Sequence, residues 1–180
     1  MRLRVAIEFA VNDQAKHMGG CMSDWIDRMK STEERNSQFN QEQTASRLHK
    51  AKMILAKAPR VWEVMIGQIK EDSEKLNRTF PDDTSRQCDF IQRDLEYTLQ
   101  NRQLPIRILS LSLNLNGHQI DMREATKHSI EYQPVLKPES PVLFKLDAND
   151  NLQFEWFGKL YVDPALLSEQ FIKRVCGIKL

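Results

Sequence analysis

The sequence predicts an α+β fold: a long N-terminal amphipathic helix or helix pair, an antiparallel sheet of about four or five strands arranged as a hairpin-rich meander, and a short C-terminal helix. Three observations carry this expectation. Apolar residues recur at three- and four-residue spacing between Leu48 and Leu76, and apolar and polar residues alternate over 109–122 and again over 142–156. Asp163-Pro164 then opens a second helical pattern that Gly177 ends. Helices first, strands next and one closing helix describe a one-faced sheet that needs the amphipathic helices to cover it.

At 180 residues the chain has the length of one domain. Its 41% hydrophobic and 28% charged residues are those of a soluble globular protein, and six glycines with seven prolines leave room for long regular elements. The formal net charge of +1 provides no overall field to draw the chain onto nucleic acid or anionic lipid, so any basic footprint has to be local. Three scattered cysteines, Cys21, Cys88 and Cys176, in a chain able to build its own core argue against a disulfide framework and for a reducing, cytoplasmic setting.

Arg2, Arg4 and the short apolar run after them resemble a signal peptide, but Glu8 interrupts the run and Asn12, Asp13 and Lys16 follow it. No stretch approaches the roughly 18–20 apolar residues of a membrane span. Residues 1–22 read as a flexible extension, and 23–180 as a single domain with a helical part over 23–80 and the sheet with its closing helix over 89–180.

Residues 23–44 are polar apart from Trp25, Ile26, Met29 and Phe39, which predicts a loosely held helix. The stripe then sharpens: Leu48, Ala51, Leu55, Ala58, Trp62, Met65, Ile69 and Leu76, widened by Val61 and Ile66. Pro59 either kinks this helix or starts a second one. Breaker residues from Asn77 to Ser85, Pro81 among them, end the helical part.

Residues 89–101 fit either period, with strand preferred. Leu109, Leu111, Leu113 and Leu115 alternate up to Asn116-Gly117, and Ile120 and Met122 alternate after it, which predicts a type I′ hairpin pairing Leu115 with His118, Leu113 with Ile120 and Leu111 with Met122. A second hairpin pairs Leu146 with Leu152, Phe144 with Phe154 and Val142 with Trp156 around a polar loop. Residues 130–136 offer another strand that Pro134 confines to an edge or bulge. In the closing helix, Asp163 is the N-cap, Pro164 the first helical residue, and Leu167, Phe171 and Val175 the buried face.

Chemistry is harder to find. The four histidines are dispersed, and His17 with Cys21 is the one close His/Cys pair, so the ligand sets of a zinc site are missing. Asp147-x-Asn149-x-Asn151 opens like a calcium loop, but Leu152 and Gly158 stand where its glycine and glutamate belong, and a hairpin loop explains it better. Asp82 with Asp94 and Glu96 resembles a metal-dependent nuclease core, yet Thr98 replaces the expected lysine. Glycine-rich phosphate loops and nucleophile elbows are absent from the sequence, and no cofactor or metal is expected.

The expected function is therefore a non-enzymatic interaction or regulatory domain that uses helical surface, with a protein partner or a second copy, and with Trp62, Met65 and Ile69 as the residues to test first. One alternative is nucleic-acid binding through a basic helix face of Arg47, Lys50, Lys57 and Arg60, although a solvated amphipathic face accounts for the same residues. Another is a small-molecule site or enzyme between sheet and helices, lined by Tyr97, His118 or His128.

Overall fold

A computed structural model describes residues 3–129, 131 and 133–178, and the side chains of these residues from Asp24 onward. The chain divides into two units, Met1–Leu48 and His49–Leu180. The side chains of the expected extension, residues 1–22, lie outside the described residues, as does the His17/Cys21 pair. Of the expected strand over 130–136, Ile130 and Tyr132 lie outside the description, and the other five residues are not in a strand.

Helix α1 runs from Leu3 to Thr79. Pro59 lies inside it, so the helix pair considered from the sequence is replaced by one element. A proline here forgoes one backbone bond. The buried residues around it, Ile54, Ala58, Trp62, Met65, Ile66 and Ile69, supply the tertiary packing that holds the helical conformation across the site. The helix stops ahead of Phe80-Pro81, where the residue before a proline is pushed out of the α region.

Seven strands follow, β1 (Cys88–Arg93), β2 (Glu96–Asn101), β3 (Ile106–Asn114), β4 (Gln119–Lys127), β5 (Lys137–Leu146), β6 (Leu152–Trp156) and β7 (Lys159–Tyr161), hydrogen-bonded in sequence order as one antiparallel meander. The expectation of four or five strands is corrected for two reasons. Residues 89–101 fall almost wholly within a β1–β2 hairpin turning at Asp94-Leu95, with Asp94 at φ 53°, and β7 is a three-residue strand too short to leave a period-two signal.

The pairs Leu113–Ile120 and Leu111–Met122 form as expected. The turn between them does not: Asn114 pairs with Gln119, leaving a four-residue loop in which His118, at φ 52°, takes the left-handed conformation in place of Asn116 and Gly117. Asn114 favours this arrangement, because its side-chain oxygen accepts the Gly117 N–H at 2.8 Å. In the second hairpin Leu146–Leu152 and Phe144–Phe154 pair, and the ladder closes at Leu143–Glu155. Strand β5 carries Pro138 and Pro141 although it has neighbours on both sides; the ladder to β4 shifts register between Ile120–Val142 and Met122–Glu139, and this bulge accommodates Pro141.

Helix α2 (Pro164–Cys176) is capped as read from the sequence: the Asp163 carboxylate accepts the Ala165 N–H at 2.9 Å, and Gly177 ends the helix at φ 68°. Leu167, Phe171 and Val175 are buried. In the unit His49–Leu180, the inner sheet face (Leu99, Leu109, Leu111, Ile120, Met122, Val142, Phe144, Phe154 and Trp156) forms one core with Ile54–Ile69 of α1 and with α2. Trp62 stands edge-on to Tyr97 at 5.6 Å and Trp156 edge-on to Phe171 at 5.1 Å. The other face is polar and held by cross-strand pairs, Arg123 with Glu96 at 2.9 Å and Lys145 with Glu155 at 3.3 Å.

Candidate functional site

Polar contacts tie helix to sheet at two places and helix to helix at one. At the end of α1, Asn77 donates its amide to the Cys88 carbonyl at 2.8 Å and accepts the Cys88 N–H at 2.9 Å, which satisfies both backbone groups of Cys88 on the outer edge of β1. Between the helices, Ser168 donates to the Asp72 carboxylate at 2.7 Å. At the end of α2, Arg174 grips Glu124 through two nitrogens and reaches Glu139 at 3.3 Å, while its guanidinium lies 5.6 Å from the ring centres of Trp156 and Phe157. The hydrogen bonds that Arg174 donates to Glu124 hold its guanidinium above its ordinary pKa.

The residues singled out from the sequence are dispersed among these elements. Trp62 is 6% exposed, and Met65 and Ile69 have no exposed surface, so all three belong to the core under the sheet. Of the basic set, Arg47, Lys50 and Arg60 are exposed on α1. Lys57 is half-buried and donates its amine to the Asp150 carbonyl at 2.6 Å, and His49 lies 3.4 Å from the Asp150 carboxylate. These two residues seat the tip of the β5–β6 hairpin on the helix.

The calcium-like loop is that hairpin tip. Asp147 accepts the backbone N–H groups of Asn149 and Asn151, each at 2.8 Å, together with the Asn151 amide at 3.0 Å. The side-chain bond from Asn151 and these backbone donors hold the Asp147 carboxyl below its usual value. Its oxygens are occupied in shaping the turn.

Tyr97, His118 and His128 are not gathered into one pocket. Tyr97 packs between Trp62 and Phe90, His118 closes the β3–β4 turn, and His128 lines an open cleft of about 620 Å³ with Glu124, Thr126, Lys137 and Glu139. The two glutamates facing that cleft are already engaged by Arg174. Among the described residues, no group of three or more His, Cys, Asp or Glu is placed to hold a metal ion, and no helix is long and apolar enough to cross a membrane.

One feature of this geometry was not read from the sequence. The Arg174–Glu124–Glu139 clasp joins residues 35 and 50 positions apart, which residue spacing along the chain does not carry. Comparison of the chain with models of known families, with curated proteins and with solved structures finds no match.

Proposed function

We propose that the chain is a non-enzymatic protein-interaction domain that associates with a second copy of itself through the exposed stretch of α1 between Asp24 and Leu48. The single observation that carries this reading is apolar exposure on a lone helix: Trp25 is 60% exposed, Met29 45% and Phe39 59%, with Ile26 and Leu48 also open. Trp25, Ile26 and Met29 lie within one turn and form a patch of the kind that anchors helix–helix contacts. An isolated helix in water draws little stability from propensity alone, so a partner that covers these groups also stabilises the helix.

This reading keeps the helical surface expected from the sequence and moves it away from Trp62, Met65 and Ile69, whose burial leaves no area for a partner. A cytoplasmic setting accords with the free thiols of Cys88 and Cys176. Nucleic acid is the weaker reading, because Lys57 of the basic set is engaged with Asp150.

The test is solution mass by light scattering after size exclusion, over a hundredfold range of concentration, for the full chain and for Trp25→Glu/Met29→Glu. The expected result is a dimer that the double variant converts to monomer while its circular dichroism and its urea midpoint, both measured at a concentration where the parent is monomeric, stay unchanged. A parent chain that is monomeric at every concentration overturns the proposal.

A further inference from the structure

Alternate turns of a meander lie at the same end of its sheet, so the β2–β3, β4–β5 and β6–β7 turns share one end, each about 10 Å from the next. Each of the three presents an exposed apolar side chain: Leu104, Val135 and Phe157. Arg174 stands at their centre. Its guanidinium is 5.6 Å from the Phe157 ring centre and 3.3 Å from Glu139, which lines one cleft with Val135. Its carbonyl accepts Arg107 at 3.2 Å, and Arg107 lines a second cleft with Leu104.

Phe157 is placed there against the preference of the backbone. It occupies the two-residue turn between the paired Trp156 and Lys159, at φ 49° ahead of Gly158 at φ 74°. Asn-Gly suits such a turn, whereas a bulky residue in the left-handed region is strained. The Phe157 ring centre is 5.1 Å from that of Trp156, yet 62% of the residue stays exposed. The fold uses only part of this ring, and folding alone would favour a smaller polar residue in its place.

The same end carries a surplus of positive charge. Arg107, Lys127, Lys137 and Lys159 make no ion pair among the described residues. The carboxylates beside them are Glu131 together with Glu124 and Glu139, which share Arg174. Turns at the opposite end carry Asp94, Asp147 and Asp150 instead, and the exposed Leu95 there follows Asp94 directly.

We propose that this end of the sheet docks on an anionic membrane surface, with Leu104, Val135 and Phe157 entering the boundary between head groups and acyl chains and with Arg107, Lys127, Lys137 and Lys159 meeting the lipid anions. Three apolar groups on separate turns would need three matched pockets in a folded protein, whereas a fluid acyl phase closes around each of them. The long cations lay their stems along the apolar tips and keep their charges at the head groups. Each adds an attraction to anionic lipid that fades within a Debye length of the surface. The attachment is peripheral, and it does not require association through α1.

The test is cosedimentation of the full chain with vesicles of phosphatidylcholine and phosphatidylserine in equal parts, and with vesicles of phosphatidylcholine alone. The expected result is binding to the first at low salt, release from them at high salt, and at least about tenfold weaker binding to the second. Phe157→Asn suits the turn and should leave the urea midpoint unchanged or raised, while weakening vesicle binding at least about tenfold through the loss of one buried ring. Val135→Asp, outside any strand and already open to water, should weaken it as well. No binding to the serine-containing vesicles at low salt overturns the proposal and leaves the three tips to a protein partner. Binding that Phe157→Asn retains in full overturns it too, and loss of that binding in Trp25→Glu/Met29→Glu would trace it to α1.

Discussion

Residues 24–48 and residues 54–69 belong to the same helix and obey the same 3.6-residue geometry, yet their apolar side chains meet different surroundings. In the second stretch Ile54, Ala58, Trp62, Met65, Ile66 and Ile69 recur every three or four residues and are all buried against the sheet. In the first, the Trp25–Ile26–Met29 patch and the lone Phe39 are set among Arg, Glu, Gln and Asn and remain exposed. Length of the stripe is what separates the two: a sustained apolar face has a sheet to cover, while one short apolar patch on a polar helix is left to water or to another molecule.

Substitutions can press on this contrast from both sides. The largest effect is expected for Ile69→Asp, which places an unpaired carboxylate in the core and should cost more than about 4 kcal/mol, enough to abolish the cooperative urea transition. Ala58→Leu leaves helix propensity nearly unchanged but overfills a site with no exposed surface, and should lower stability by about 1–3 kcal/mol in urea titrations. Ala45→Leu makes the same chemical change on an exposed turn and should move the midpoint by less than about 0.5 kcal/mol, measured where the chain is monomeric. Equal costs at Ala58 and Ala45 would erase the distinction between the two stretches.

Much of the fold was legible because its signals are local. The stripe, buried from Ala58 to Ile69 although its Leu48 and Leu55 are exposed and Ile54 is buried instead, the registers Leu113–Ile120 and Phe144–Phe154, and the Asp163 cap each depend on residues a few positions apart or on one hairpin. What escaped reading fell below that local resolution or beyond its range. Strand β7 is too short for a period, and Asp94-Leu95 splits one ambiguous run into two strands. The Asn116-Gly117 signal located the turn but not its type, since the Asn114 side chain and a left-handed His118 settle the backbone there. Arg174 beside Glu124 and Glu139 needs the sheet and α2 in place first, so no sequence pattern announced it.

Strict sequence order in the sheet bears on how the chain reaches this structure. Each strand pairs only with its neighbours in the chain, so six hairpin ladders can zip in succession with short loop closures between most of them. Helix α2 departs from that economy: it follows β7 directly, yet lies against β1, β2 and β3 as well. Its docking, with that of α1 on the same inner face, converts a set of local ladders into one cooperative core, and assigns the slow, entropy-limited part of folding to helix placement rather than to strand pairing.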